Sequence, residues 1–543
     1  KVNLTSNRIK IGGVAESDFG TLMFDPLFFT SGGFGDFGLT ALTSLEVAQN
    51  TVIHPQVVNR ELLAGYALQP SGGKLADFSQ LAVLDALGRQ AANLSLAAKQ
   101  SSVGTGELLI GKGARIEVDP KGTIALEARN TIDIEGALVA RGGAINVVLD
   151  RGTGQVNSAI NQNALWLGKE AVLDVSGIAR TYIDTKGLTQ GEVLAGGTVN
   201  LNARTGYVVA EEGSRITLAG AAPVRLDLVN ESGGLGRTVG SDAGVLSVFA
   251  EEGILLDATL AAQGSSAGNR GGEVNIALSK NAHTESQIGF DAQARVLSLA
   301  SSVSSQTAGL SPDAPIPVTG VVRARIGADK LEAAGFDRIR LSSRDAIVLE
   351  DSTDLGASRA LALRELTLDA ARIATAGGNA VLAAETLRLG NYDPTRVGAQ
   401  SAVTDTGTLT LNARQLELAG KLRLEGMARA ELNGLEAIQL AGVTTGLVRP
   451  VGELNAVADL AFHGAIVAPT TYTQYSIQAP GQRVSFTRST DTPTQPISAL
   501  GSLTVVAQDI VQDGNVWAPF GQIDFRASES LTFKRGSLSS VAA

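Results

Sequence analysis

GGTVNLNARTGYVVAEEGSRITLAG, residues 196–220, alternates apolar and polar residues in short runs, breaks at glycine and charged turns, and closes on Ala-Gly. A period of two is the signature of a strand with one face turned to a core. Two such runs lie in this one stretch, each ended by glycine. Close relatives of it recur along the chain: AGVLSVFAEEGILLDATLAAQG at 243–264, TGTLTLNARQLELAGKLRLEG at 406–426, ARAELNGLEAIQLAG at 428–442 and GSLTVVAQDIVQDGNVWAPFGQIDF at 501–525. The alternating runs span about four to six residues, as at 199–203, 215–218, 245–249, 274–278, 408–411 and 503–506, and Gly, Asn and Asp punctuate them. Measured between Gly-Gly or Thr-Gly starts, the recurrence is roughly 20 to 29 residues, the range of a solenoid repeat.

These features predict an all-β fold, a right-handed parallel β-helix. Each coil stacks on the previous one, alternate residues form aliphatic ladders inside, and Gly and Asn take the turns because they tolerate positive φ. At about 23 residues and about 4.8 Å per coil, the chain would build a rod on the order of 100 Å long. Composition agrees. The 543 residues contain 63 Gly and are 44% hydrophobic but only 4% aromatic, so Ala, Leu, Val and Ile carry the apolar load of a narrow core. Antiparallel sandwiches also show short strands at regular spacing, but two-residue hairpin signals are scarce here.

Read this way, coils occupy 1–56, 101–300, 321–389, 406–486 and 501–543, and excursions occupy 57–100, 301–320, 390–405 and 487–500. Within the first excursion, Leu75, Phe78, Leu81, Leu84 and Leu87 have helical spacing and predict a short helix. The other three are rich in Pro, Ser and Thr, and loops held on a rigid scaffold are natural places for recognition.

The formal net charge of −10, without a dense Lys/Arg run, argues against a nucleic-acid partner. Zero cysteines exclude disulfides, thiolate zinc sites and a Cys nucleophile, and three His leave little for a metal, so no metal or other cofactor is expected. A chain without cysteine also suits passage across a membrane unfolded. No run reaches the eighteen or so apolar residues of a membrane span, and KVNLTSNRIKIGG lacks a signal-peptide pattern, so the chain reads as an internal or processed piece of a longer protein.

Chemistry-bearing candidates are few. AEEG occurs twice, placing Glu211, Glu212, Glu251 and Glu252 at what read as equivalent corners; paired carboxylates serve glycoside hydrolysis or calcium binding, but neither copy brings a third ligand or an Arg or Lys at a fixed offset, and the favoured reading is a solvated turn repeated because the coil repeats. Asn202, Asn412, Asn433 and Asn455 each close a Leu-Asn-Ala or Leu-Asn-Gly end and are candidates for stacked amide ladders. GGFGDFG at 32–38 and GKGAR at 111–115 read as turns, because neither completes a calcium nonapeptide or a phosphate loop. His54, His283 and His463 have no nucleophile or second His beside them in sequence. Arg323, Arg325, Arg338, Arg340 and Arg344 form either a basic strip or a paired face, and Trp166, Tyr207, Tyr472, Tyr475 and Trp517 either stack on sugars or cover coils. No catalytic residue is assigned, and the chain is expected not to be an enzyme.

The GGxVxLxAxxG style of coil at Gly196, TSGGFGDFGLTALTSLEVAQNTVIHP from Thr30, GTLTLNARQLELAG from Gly407 and SLTVVAQDIVQDGNVWAPFGQIDFRASESLTFKRGSLSSV from Ser502 together resemble the filamentous haemagglutinin-like, two-partner-secreted exoproteins of Gram-negative bacteria. The resemblance implies a β-helical fibre exported through a dedicated outer-membrane transporter to the cell surface or the medium. Its expected partners are a surface receptor, a glycan, a matrix component or other copies of itself, and its expected roles are adhesion, biofilm matrix or fibre formation. A stalk for a contact-dependent toxin is the alternative within the family, and a β-helical polysaccharide lyase or hydrolase is the alternative outside it.

Overall fold

The computed structural model describes residues 1–14, 20–69, 71–83, 89–99, 106–150, 163–228, 235–266, 268–279, 294–312, 314–317, 322–357, 363–396, 406–444, 446, 448–493 and 497–542. The protein is an all-β parallel β-helix with one short α-helix among the described residues. The chain forms two compact units: Lys1–Glu251 with Leu255–Glu273 and Ser305–Val318, and Glu252–Ile254 with Val274–Ser304 and Thr319–Ala543.

In the first unit the stretch at 196–220 is one coil: strands Thr198–Ala203, Tyr207–Ala210 and Arg215–Thr217, separated by two turns. Each strand pairs in parallel with its counterparts above and below. Leu94, Ile124, Ile145, Val199 and Leu246 share one register position, and Leu96, Leu126, Val147, Leu201 and Val248 share the next inward one. On the third side of the coil Ile53, Ile116, Leu138, Leu173, Ile216 and Leu260 form another column. All of them are buried. Columns of β-branched and Leu side chains fill a core only a few side chains wide, which is why the chain needs so few aromatics.

The glycines before the first strand of each coil have a steric reason. A Cβ at Gly143 would lie 2.1 Å from the carbonyl oxygen of Gly122, one at Gly197 2.0 Å from that of Gly143, and one at Gly244 2.0 Å from that of Gly197. The corner is a stack of glycines because backbones pass there too closely for any side chain.

The second unit uses the same logic with longer strands. Thr408–Glu425 runs for 18 residues and Gln474–Thr487 for 14, where the sequence predicts runs of four to six. The difference lies at the corners: register shifts between Ala413 and Gln415 and between Ala479 and Arg483 mark bulges, which bend a strand without ending it. Leu382, Leu411, Leu432, Phe462 and Phe486 form an inward column, and the two phenyl rings stack with centroids 5.1 Å apart.

In place of the helix expected between 74 and 100, the described residues form a 3-10 turn at Leu75–Asp77, a strand, Ser79–Val83, antiparallel to Val58–Leu62, and a coil strand, Asn93–Ala98, parallel to Asp36–Ala41 within the range read as an excursion; Leu84 and Leu87 lie outside the described residues. The apolar face had nothing to bury against: Leu75 and Leu81 are 57% and 67% exposed, and a short helix without tertiary packing is unstable, whereas hairpin pairing satisfies the backbone. The α-helix lies instead at Ala328–Ala334, in a range read as coil. It buries Ala328, Leu331 and Ala334 and ends at Gly335 with φ 82°. Two further hairpins, Ile178–Ile183 with Thr189–Leu194 and Val224–Leu228 with Leu235–Val239, interrupt the range 101–300 that the sequence gives wholly to coils.

Candidate functional site

The two AEEG stretches occupy different corners. The amide of Glu211 donates to Leu167 and that of Asp257 donates to Ala210, so Asp257 is the counterpart of Glu211 one coil on; the amide of Glu251 donates to Ala203 and follows a different strand. Repeated letters do not mark a repeated position here. Glu211 is buried and accepts a hydrogen bond of 2.8 Å from the Trp166 indole, while Glu212 is exposed. Glu251 is buried in the first unit. Glu252, in the second, accepts from Arg295 Nη2 on both oxygens at 3.0 Å and lies 3.5 Å from Arg323 Nη1. All three side chains of that cluster are at most 3% exposed.

Of the four asparagines, two stack. Asn433 Nδ2 donates to Asn412 Oδ1 at 2.9 Å across coils that are 21 residues apart. Asn202 is instead in register with Val148 and Phe249, and Asn455 with Arg423 and Gln478, so neither has an asparagine neighbour in its column. A second ladder, unforeseen, joins Asn200 to Asn146 at 2.6 Å across 54 residues. Spacing hid it, because the hairpin at 178–194 lengthens that coil.

The remaining candidates resolve as follows. Arg325 donates to Glu350 and Arg340 to Asp369 at 3.1 Å, two pairs on the outer face, whereas Arg323 is buried in the Glu252 cluster. Trp166, Tyr207 and Tyr475 are buried; Tyr472 is exposed with the Arg449 guanidinium 5.6 Å from its ring centre, and Trp517 Nε1 donates to the Ala542 carbonyl. His463 bonds to Thr487 Oγ1 at 3.0 Å, and His283 lies outside the described residues. Within the excursion read at 301–320, Ser305–Thr307 and Ile316 lie against the coils. Asp257 Oδ2 accepts from the Ser305 hydroxyl, the amides of Gln306 and Thr307 and the Thr307 hydroxyl, and Ile316 packs on Trp166 and Tyr207.

Two grooves gather polar side chains on these surfaces. One, of about 490 Å³ in the second unit, runs along the Asn412–Asn433 ladder over Leu363, Ala383, Ala413 and Leu435. The other, of about 730 Å³ in the first unit, lies between the 119–122 corner and the hairpin of Ile178–Ile183 and Thr189–Leu194. Arg89 clamps Asp119 through Nε at 2.6 Å and Nη2 at 2.5 Å, both side chains being more than nine-tenths buried, with His54 Nε2 3.7 Å from the same carboxylate. Burial pushes the Asp119 carboxyl up, but His54 and Arg89 pull it down further, to about 2. On the hairpin Arg180 sits directly opposite Glu192 and donates to it at 3.0 Å, and Lys121 donates to the other Glu192 oxygen at 2.7 Å. Asp227 fixes the hairpin through the Thr189 amide and, by its carbonyl, the Gln190 side chain. Sequence reading missed this group. Its signals were turns: Asp-Pro-Lys-Gly at 119–122, with Lys121 at φ 72°, and Asp184 to Gly187, where Asp184 accepts from the Lys186 and Leu188 amides.

No family model, curated protein or solved structure matches the chain.

Proposed function

We propose that this chain is a non-catalytic scaffold segment of a large secreted surface exoprotein of the filamentous haemagglutinin-like kind, exported through an outer-membrane transporter and used for adhesion or as matrix fibre. The observation that carries the reading is how the acidic candidates are spent. Glu211 is held by Trp166, and Glu252 by Arg295 and Arg323, and both carboxylates are buried. A general acid or nucleophile has to reach its substrate, and these carboxylates instead tie neighbouring coils together. What the coils turn outward is amide ladders, paired charges and shallow grooves, the equipment of a binding surface.

The rival from enzymology is a polysaccharide lyase or hydrolase. Incubating the purified chain with a panel of polysaccharides and measuring new reducing ends and unsaturated products separates the two. The scaffold reading predicts no turnover; turnover that disappears in the Glu211→Gln, Glu212→Gln double variant would replace it with the enzyme reading.

A further inference from the structure

The groove over the 119–122 corner combines three kinds of group. First, it is cationic. Among the described residues, Arg89, Lys121 and Arg180 face two carboxylates, Asp119 and Glu192, leaving one positive charge over. Arg180 lines the groove and gives Glu192 one hydrogen bond from Nη1; its Nε is buried, so what it can offer a ligand in the groove is its terminal Nη groups. Second, Tyr182 lines the groove with its side chain half exposed. Third, Gln90 and Gln190 bring amides, which match hydroxyl groups as donor or acceptor.

The positions are set in advance. Asp119 locks Arg89, Glu192 bridges Arg180 to Lys121, and Asp227 anchors the hairpin that carries Tyr182. Pre-set groups lose little freedom when a ligand arrives. A volume of about 730 Å³ lies in the range of small-molecule and oligosaccharide pockets.

We propose that this groove binds an acidic sugar unit, a hexuronate within a polysaccharide, with the ring face on Tyr182 and the carboxylate paired to Lys121 and Arg180. The chemistry divides cleanly. A pyranose ring offers a flat C–H face for an aromatic ring, its hydroxyls suit side-chain amides, and its carboxylate matches the surplus cation. A neutral sugar would use the tyrosine and the amides but leave the charge unanswered. The site stands whether or not the chain is displayed at a cell surface, because binding is read in solution.

Saturation-transfer difference NMR on the full chain tests it, with tetragalacturonate as the acidic probe and maltotetraose as the neutral one, at low and at high salt. The expected result is transfer to the ring protons of tetragalacturonate, little to maltotetraose, and weakening with salt. Affinity is expected to fall about tenfold in Tyr182→Ala and in Lys121→Gln. Both residues are surface groups, and an unchanged circular dichroism spectrum confirms the fold. Tyr66→Ala, on the separate hairpin excursion at 57–83, is expected to change nothing. No transfer to tetragalacturonate, equal binding of the two probes, or binding indifferent to both groove substitutions would overturn the proposal.

Discussion

Trp166 stands between Leu165 and Leu167, both members of inward columns, so strand alternation turns it outward. Yet it is fully buried, with its indole N–H on the Glu211 carboxylate and Ile316 packed against it. The pair is an exchange of needs: an indole buried without an acceptor and a carboxylate buried without a donor would each be costly, and together they are satisfied. Replacing Trp166 by Phe keeps most of the apolar volume and removes the donor. The expected loss of stability is about 1–3 kcal/mol, read as a lower urea midpoint with the unfolding slope unchanged. An unshifted midpoint would mean that the bond contributes nothing to holding these coils. The Arg295–Glu252–Arg323 cluster obeys the same rule at higher stakes, since three charges leave water together and only their mutual hydrogen bonding makes that tolerable.

At the scale of elements, Ser305–Thr307 begin a strap whose attachment is concentrated on one atom. Asp257 Oδ2 takes four hydrogen bonds from Ser305, Gln306 and Thr307. In a Trp517→Phe background Trp166 is the only tryptophan, because the chain has two. There, Asp257→Ala is expected to red-shift the emission and raise acrylamide quenching as the strap lifts. Unchanged quenching would show that apolar contact alone keeps it down. The strap also shows what the sequence conceals. Coils were legible in 196–220 because alternation, glycine corners and return to Ala-Gly are all local. Whether a Pro/Ser/Thr-rich stretch such as 301–320 projects or folds back depends on a carboxylate about 50 residues away. The expected helix failed for a related reason: the spacing of Leu75, Phe78 and Leu81 is local, but the surface that would have buried them does not exist. Equivalence of the AEEG copies failed because the same letters follow different strands of the coil, Tyr207–Ala210 in one case and Val245–Ala250 in the other, and the Asn412–Asn433 ladder was found because no insertion lies between them. The groove residues share no pattern. Arg89, Lys121, Arg180 and Glu192 meet only through the hairpin at 178–194, whose turn residues were readable and whose landing place was not.

For the molecule as a whole, each unit is stabilised mainly by contacts between adjacent coils, so its core is a set of columns that can be lengthened coil by coil without redesign. Such a fold gives reach at low sequence cost and tolerates excursions, since an insertion at a corner leaves the ladders intact. This is the physical basis for reading the chain as a scaffold that presents surfaces rather than as a vessel for a reaction. The most direct measurement is immunogold electron microscopy of unpermeabilised producing cells with an antibody raised against this chain. The account predicts gold along thin fibres projecting from the cell envelope. Gold absent from the cell surface, with the antigen found as compact soluble particles in the medium or only inside opened cells, would contradict it.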